Sequence, residues 1–289
     1  MTTQPRLFVT GANGQLGRLV LASLVTKIDP ARIVAGVRDV AAAADLAALG
    51  VELRVADYDK PATLEAAFAG IDRLLLISSS AVGARAPQHA NVIAAAKAAG
   101  VGFLAYTSLL GGPASPLPLK AEHVETEALL AASGLPHALL RNGWYLENYN
   151  GFIPSALEHG AIAGAAGEGR IAAAARADYA EAAAVVLAGE GHAGKAYELA
   201  GDEAFTLAEW AAALSAAAGK SVVYRDLPEA EYRAFLISVG LPEGLADLLA
   251  TSDAGAAKGG LFDDSHTLSR LIGRPTTPLA TVLAAALKG

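Results

Sequence analysis

The chain has 289 residues, 53% of them hydrophobic, and a formal net charge of −7, so it can bury a large core and carries no basic field for nucleic acid. It contains no cysteine, which excludes disulfides, iron–sulfur clusters and a thiol nucleophile, and we expect no metal site. Because no apolar run approaches the roughly 18 residues of a membrane helix and no secretory signal is apparent, we expect a cytoplasmic protein that does not enter a membrane.

A glycine-rich turn between a strand and a helix opens the chain. Leu7–Val9 is a short apolar run, and apolar residues recur at helical spacing shortly after it. Gly11 permits a tight turn, Gly14 lets the backbone approach a ligand, and Gly17 lets the helix pack closely on its strand. The N–H groups at the start of such a helix suit a pyrophosphate, so the turn indicates a dinucleotide site. A glycine-rich turn without a ligand is the alternative.

The second strand, Arg32–Arg38, ends in an arginine. The residue at this position of a dinucleotide-binding sheet lies beside the adenosine ribose, where an acid binds a free 2′-hydroxyl and an arginine suits a 2′-phosphate. Arg38 therefore favours NADPH over NADH. A solvated Arg38, with Asp39 directly after it, is the alternative.

Polar residues follow the third and fourth strands. The third strand, Val51–Ala56, is followed by Asp57 and Tyr58. The fourth, Leu74–Ile77, is continuously apolar and is followed by Ser78–Ser80. Ligands collect at the carboxyl edge of an open parallel sheet, so we expect the first pair beside the adenine and the serines beside the pyrophosphate and the nicotinamide ribose. Solvated turns are the alternative at both places.

The fifth strand, Val101–Tyr106, leads to Ser108, which is placed like the catalytic serine of ordinary short-chain dehydrogenases. Those enzymes also use a Tyr-x-x-x-Lys pair on the next helix to protonate an alkoxide. Here Leu119 stands at the tyrosine position and His123 at the lysine position. The usual proton donor is missing, so ordinary alcohol or ketone chemistry is disfavoured and His123 is one candidate for proton delivery.

Two large aromatic residues follow the sixth strand, Leu135–Arg141. Asn142 is placed to hydrogen-bond a ribose or a carboxamide. Trp144 and Tyr145, next to Gly143, suit the wall of a flat ligand, which is either nicotinamide or an aromatic substrate. Core positions in the following helix are the alternative for both rings. Asn142 and Tyr145 join His123 as catalytic candidates.

From about Asn150 the pattern changes to helices joined by loops. Short strands are predicted at Ile171–Ala175, Tyr197–Ala200 and Val222–Arg225. Asp178 and Thr206 each precede a helical run, as N-caps do. The glycines of Glu243–Gly260 indicate a lid or a linker.

Together these patterns predict an α/β fold, a Rossmann-like doubly wound parallel sheet with a small, mostly helical C-terminal lobe. Residues 1–150 are expected to form the NADP(H)-binding domain. Residues 151–289 are expected to form a smaller lobe that covers the substrate, with segments that return to the sheet. We expect a monomer or a homodimer whose partner is a small-molecule substrate.

Several longer segments carry a family likeness. VTGANGQLG at the first turn is a widely shared pattern, whereas RNGWYLENY and SDAGAAKGGLFDD are far more specific. On these segments, and over nearly all of its length, the chain resembles the NmrA-like atypical short-chain dehydrogenases. Within them it is most similar to the bacterial type 2 quinone oxidoreductases.

The resemblance implies NADPH as cofactor and a quinone or another flat acceptor as substrate. The implied cofactor contacts are Gly11, Asn13, Gly14, Gln15, Leu16, Gly17, Arg38, Ser78, Ser79, Ser80, Asn142, Gly143, Trp144, Tyr145 and Glu147. Trp144 and Tyr145 are also the expected substrate contacts. Asn13 stands where the family often has threonine, and this matters little because the backbone does most of the binding there.

Hydride transfer to a quinone agrees with the missing tyrosine. The product is a hydroquinone anion that is stable enough to take its proton from water, so no side-chain acid is required. Two other functions remain compatible with the same residues. One is an NADPH-dependent reductase of a carbonyl, an imine or a triphenylmethane dye, and the other is a non-catalytic sensor of NADP(H). The missing Tyr–Lys pair is what a sensor shows, whereas no added partner-binding extension supports one.

Overall fold

The computed structural model describes residues 5–288. The chain divides into two compact units, each assembled from more than one stretch of sequence. The first unit consists of the chain up to Gly112, Ala121–Asn142 and Ala177–Tyr197. The second unit consists of Pro113–Lys120, Gly143–Arg176 and the chain from Glu198 onward.

The strands form one large sheet and one small sheet. They are β1 Leu7–Val9, β2 Ile33–Val37, β3 Glu52–Val55, β4 Arg73–Leu76, β5 Phe103–Leu109, β6 His137–Asn142, β7 Ala161–Gly164, β8 Ala196–Leu199 and β9 Val223–Asp226. The large sheet has seven parallel strands in the order β3-β2-β1-β4-β5-β6-β8. Leu7 of β1 lies opposite Ile33 of β2 on one side and Arg73 of β4 on the other. The strand order reverses at β1, and a crevice opens at the carboxyl ends beside such a reversal. The predicted Rossmann-like fold is confirmed.

Helices connect the strands. They are α1 Gln15–Leu24, α2 Pro61–Ala67, α3 Arg85–Ala98, α4 Lys120–Ser133, α5 Ile153–His159, α6 Arg176–Ala188, α7 Leu207–Ala218, α8 Glu229–Ser238, α9 Glu243–Ala256, α10 Thr267–Ile272 and α11 Leu279–Ala286. Short 3₁₀ stretches lie at Pro30–Arg32, Ala41–Leu49, Gly112–Ala114 and Leu146–Phe152. Among the described residues, no helix is both long and apolar enough to span a bilayer.

The core of the first unit lies between the large sheet and its helices. Phe8, Leu74 and Leu104, from three neighbouring strands, are fully buried in one cluster. The ring of Phe68 packs edge-on against Phe8, with 4.9 Å between centroids. Each such side chain contributes about 1.5–3 kcal/mol when it is buried. The buried strands are therefore a firm platform for the groups at their carboxyl ends.

The second unit contains the small parallel sheet, in which Ala161 of β7 lies opposite Val223 of β9. The strand predicted at Val222–Arg225 is therefore present as β9. The strand predicted at Ile171–Ala175 is wrong, because this stretch makes only isolated bridges. In addition, β7 was not predicted, since its sequence AIAG has no alternation of polar and apolar residues.

Of the two N-caps predicted in this part of the chain, one is present and one is not. Thr206 caps α7, where its Oγ1 accepts from Glu209 N over 3.1 Å and the Glu209 carboxylate accepts from Thr206 N over 2.8 Å. The N-cap predicted at Asp178 is wrong, because Asp178 lies inside the first turn of α6. A carboxylate in the first turn of a helix still interacts favourably with the positive end of the helix dipole. The predicted lid or linker at Glu243–Gly260 is mostly helix α9.

Candidate cofactor site

A groove of about 490 Å³ lies at the carboxyl edge of the large sheet, within the first unit. This volume is typical of ligand pockets. The predicted contacts that line it are Gly11, Asn13, Gly14, Gln15, Leu16, Gly17, Arg38, Asp57, Tyr58, Ser78, Ser79 and Ser80. The structure therefore brings together every predicted contact that precedes the fifth strand.

Two glycines of the first turn are required by its geometry. Gly11 has a φ of +57°, in the left-handed region that favours glycine. At Gly17, a Cβ would lie 2.4 Å from the carbonyl oxygen of Gly11 and 2.7 Å from Cα of Ala12. Only glycine therefore lets α1 start this close to the turn that precedes it.

The start of α1 offers backbone donors to the groove. Gly14 is its N-cap, and no side chain caps the helix there. The first N–H groups of a helix have no partner within it, so those of Gln15 and Leu16 suit an anion. The Asn13 side chain is held by the protein, since its Nδ2 donates to the Ala42 carbonyl oxygen over 3.4 Å and its Oδ1 accepts from Arg18.

Arg38 and Asp39 follow β2 and have different tasks. Asp39 Oδ1 accepts from the N–H groups of Ala41 and Ala42, over 2.8 and 3.3 Å. These hydrogen bonds hold the carboxylate against the start of the 3₁₀ stretch Ala41–Leu49. Arg38 is exposed, and among the described residues that line the groove it is the only one with a positive charge. The arrangement suits a 2′-phosphate better than a free 2′-hydroxyl.

Tyr58 fastens the end of β3 to its neighbours. Its hydroxyl donates to the Ile77 carbonyl oxygen over 2.8 Å and also hydrogen-bonds Thr10. Burial raises the pKa of the Tyr58 hydroxyl well above its usual range. Asp57, beside it, accepts from Asp59 N over 3.1 Å and pairs with Lys60. Contact of Asp57 and Tyr58 with adenine stays a prediction.

Gln88, on α3, is a lining residue that the sequence did not indicate. Its Nε2 donates to both carboxylate oxygens of Asp59, each over 3.0 Å. Among residues 5–288, its Oε1 is buried and has no partner. A buried acceptor without a partner marks a place where a donor is missing. One glutamine on a mixed helix face carries no sequence signal for this role.

Ser108 is not available to a substrate as its position after the fifth strand suggested. It is buried, and its Oγ donates to Glu127 Oε1 over 2.6 Å. Arg141 donates to the same carboxylate. The hydroxyl is therefore part of a buried charged network, and Ser108 does not line the groove.

His123 forms a tyrosine–histidine pair that the helix sequence did not reveal. Its Nδ1 is 2.8 Å from the hydroxyl of Tyr106, on β5. Both side chains are buried, and burial, together with Arg85 nearby, lowers the pKa of His123 to about 4. Within the described part of the chain, no group of three or more histidine and acidic side chains is arranged to hold a metal ion.

Asn142 ends β6 with its side chain buried. Its carbonyl oxygen accepts from Leu110 N over 3.0 Å, which fixes the backbone. Its side-chain Oδ1 is buried and has no partner among residues 5–288. Asn142 does not line the groove, so its contact with a ribose or a carboxamide stays a prediction.

The predicted contacts from Gly143 to Glu147 belong to the second unit. Trp144 and Tyr145 are half-buried, and the Arg176 guanidinium lies 4.9 Å from the centroid of the Tyr145 ring. Both carboxylate oxygens of Glu147 accept from Arg176 N over 3.0 Å. Gly143 N donates to a backbone carbonyl oxygen at the end of β8 over 2.8 Å. Glu147 thus supports the backbone, and the ligand contacts of these residues stay predictions.

A model of the NmrA-like family matches residues 3–277, nearly the whole chain. This chain belongs to the NmrA-like family. The glycine-rich turn and the groove of this NmrA-like protein are therefore features of a family member, and the resemblance inferred from the sequence is confirmed.

Named relatives of this NmrA-like protein match over almost its full length. Quinone oxidoreductase 2 of Escherichia coli strain K12 is 61% identical over 272 residues, which cover 94% of this chain and 95% of the relative. The structure of the E. coli NADPH-dependent quinone oxidoreductase complexed with NADPH has a TM-score of 0.96 and 59% identity, and covers 97% and 99% of the two chains. Citrobacter sp. triphenylmethane reductase complexed with NADP(H) has a TM-score of 0.93 and 38% identity, and covers 97% and 99%.

Proposed function

We propose that this NmrA-like protein is an NADPH-dependent quinone reductase. The observation that carries the proposal is its 61% identity, over 94% of the chain, to quinone oxidoreductase 2 of E. coli. The groove agrees with the same cofactor, because it combines a glycine-rich turn, an uncapped helix start and Arg38. Bound NADPH supplies a hydride from its nicotinamide ring.

Residues of the first unit hold the cofactor. The N–H groups of Gln15 and Leu16 bind the pyrophosphate, and Arg38 pairs with the 2′-phosphate. The hydroxyls of Ser78–Ser80 hydrogen-bond the central part of the cofactor. The orphaned Oδ1 of Asn142 accepts from the nicotinamide carboxamide. In this proposal the protein's main contribution is to hold the nicotinamide where a flat acceptor can reach it.

No side chain is assigned as a general acid. Two-electron reduction of a quinone by hydride gives a hydroquinone anion, which takes its proton from water. His123 is neutral at pH 7 because burial lowers its pKa to about 4, and burial also raises the pKa of Tyr106 well above its usual range. Neither group is suited to donate a proton at neutral pH.

Trp144 and Tyr145 are the proposed substrate contacts. Both residues are half-buried and so remain partly accessible. Stacking on an aromatic ring suits a planar quinone. The Arg176 guanidinium holds one side of the Tyr145 ring and so limits its rotation.

The test is steady-state oxidation of NADPH, with NADH alongside, against benzoquinones, naphthoquinones, ketones, imines and triphenylmethane dyes. The proposal expects quinone-dependent oxidation that is faster with NADPH. Reduction of dyes but not of quinones would instead favour the activity named for the Citrobacter relative, to which this chain is 38% identical. Tight binding of NADPH with no turnover of any acceptor would favour a sensor.

A further inference from the structure

Three consecutive backbone N–H groups after β4 each donate to a side chain from a different element. The pairs are Ile77 N to Thr10 Oγ1 over 3.0 Å, Ser78 N to Thr107 Oγ1 over 2.8 Å, and Ser79 N to His89 Nε2 over 3.0 Å. All three acceptor side chains are buried. The segment that carries the groove-lining serines is therefore held from beneath by the protein interior, which leaves its exposed side to a ligand.

The hydrogen bonds of His89 fix its tautomer. Nε2 accepts from Ser79 N–H, so it carries no proton. Nδ1 lies 2.8 Å from Thr126 Oγ1, and the Thr126 hydroxyl donates to the Glu122 carbonyl oxygen over 2.9 Å. Nδ1 therefore donates to Thr126. Burial, with His123 and Arg85 nearby, lowers the pKa of His89 to about 3, so the ring stays neutral.

The carbonyl group of Ser79 is held as well. Arg85 Nε donates to the Ser79 carbonyl oxygen over 2.6 Å. Glu122 Oε1 accepts from Gly83 N and Arg85 N, over 2.9 and 3.2 Å, which anchors the start of α3. Both backbone polar groups of Ser79 thus have side-chain partners from α3. Loss of either contact frees the segment to turn its serine hydroxyls away from the groove.

We propose that His89 is a positioning residue for NADPH. It lies outside the groove lining and is fully buried, so it acts through Ser79 by holding the Ser78–Ser80 segment in its binding conformation. Thr126 acts on the same segment by keeping the proton of His89 on Nδ1. If Nδ1 loses its acceptor, its N–H is buried without a partner, and the ring is no longer held in the orientation that presents Nε2 to the Ser79 N–H group. The inference rests on the proposed NADPH-binding function.

The test compares paired variants of Thr126 and of His89. The NADPH dissociation constant is measured by fluorescence titration, and thermal unfolding shows that each variant is folded. We expect Thr126→Val to raise the constant about tenfold, the effect of a lost hydrogen bond in a buried network, and Thr126→Ser to leave it near the original value. We expect the same contrast between His89→Leu and His89→Gln, because a glutamine amide oxygen can replace Nε2.

Two readouts separate positioning from general stability. With saturating NADPH, kcat for quinone should stay within about twofold in all four variants, since the lost contact affects cofactor binding equally before and during hydride transfer. In ¹⁵N spectra of the original protein, His89 should be neutral with its proton on Nδ1.

A folded Thr126→Val or His89→Leu variant with unchanged NADPH affinity would overturn the inference, and so would a His89 proton on Nε2. Failure of the proposed function looks different. If NADPH affinity responds as expected but no quinone is reduced, the quinone assignment is wrong and the positioning role stands. If the original protein does not bind NADPH, both are wrong.

Discussion

Arg141 donates to both carboxylate oxygens of Glu127, from Nε over 3.0 Å and from Nη2 over 2.8 Å. The Glu127 side chain is only 9% exposed, and these contacts, together with the hydroxyl of Ser108, provide its hydrogen bonds in the interior. Ser108 stands where ordinary short-chain dehydrogenases have their catalytic serine. In this protein its hydroxyl instead supports the buried ion pair of Glu127 and Arg141.

Replacement of Glu127 tests this network. Glu127→Gln should lower the free energy of unfolding by about 3 kcal/mol, because it leaves the Arg141 guanidinium partly buried without its counter-charge. Urea unfolding measures the change. Glu125→Gln is the control, since Glu125 is exposed on the same helix, and it should change stability by less than about 0.5 kcal/mol. Equal effects of the two substitutions would contradict the structural role of Glu127.

Arg38 should set the preference between cofactors. Arg38→Gln should raise the KM for NADPH about 10- to 100-fold and leave the KM for NADH nearly unchanged, because only NADPH carries the 2′-phosphate. Arg38→Lys keeps the charge without the two-pronged donor and should fall between. Initial rates with both cofactors provide the measurement, and a parallel rise for NADH would exclude a specific phosphate contact.

The close approach at Gly17 should make this position intolerant of even a methyl group. Gly17→Ala places a Cβ 2.4 Å from the Gly11 carbonyl oxygen, so the turn must shift and NADPH affinity should fall at least about tenfold. Gly102→Ala is the control, since its Cβ would meet its nearest neighbour at an ordinary 3.5 Å. Titration with NADPH should distinguish the two variants, and equal affinity would show that the turn adapts.

Tyr145 should contribute mainly to substrate binding. Tyr145→Leu should raise the KM for quinone about tenfold, because it removes the aromatic face, whereas Tyr145→Phe keeps that face and should have less than a threefold effect. The KM for NADPH, measured in the same assays, shows whether the change is confined to the acceptor. A larger effect on NADPH than on quinone would assign Tyr145 to the cofactor.

Asp253 should make its contribution to the stability of the fold larger at mildly acidic pH than at neutral pH. Its Oδ2 accepts from Ala165 N over 2.9 Å, and Asp226 lies nearby. Burial, with a further contribution from Asp226, raises the pKa of Asp253 to about 6. Between its ordinary value and 6, the folded state binds more protons than the unfolded state. This group therefore stabilises the fold less as the pH rises through that window.

The measurement is urea unfolding at pH 5 and pH 7.5. Asp253→Asn should remove the pH dependence that this carboxylate contributes. From pH 5 to pH 7.5, the free energy of unfolding of the variant should therefore rise by about 1–2 kcal/mol relative to that of the original protein. Asp264→Asn, at an exposed position, serves as the control and should leave the pH dependence unchanged. An unaltered pH dependence in Asp253→Asn would contradict the raised pKa.

The sequence was most informative where local patterns determine structure. A short, continuously apolar run such as Leu74–Ile77 favours a buried central strand, and the carboxyl ends of parallel strands meet at one edge of their sheet. This reasoning placed Arg38 and Ser78–Ser80 beside the same groove. The glycine spacing from Gly11 to Gly17 fixed the turn, because sterics there exclude other residues.

Contacts across the interior were not predictable in the same way. His89 and Gln88 are neighbours on α3, yet one holds a peptide from beneath and the other lines the groove. Their roles depend on the rotation of α3 against the sheet, which alanine-rich helices specify weakly. Tyr106 reaches His123 from a strand, so a search for a tyrosine on the helix does not find the pair.

Strand β8, at the edge of the large sheet, is synthesised long after the strand that it pairs with. Strand β8 covers β6, with Leu139 N donating to Lys195 O over 2.9 Å, but it begins some fifty residues after β6 ends. During synthesis, β6 therefore emerges from the ribosome before its neighbour exists. A fragment cut near residue 150 has the same exposed strand edge, with backbone donors and acceptors free to pair with another copy. Such a truncated protein is expected to aggregate even though it contains the whole glycine-rich turn.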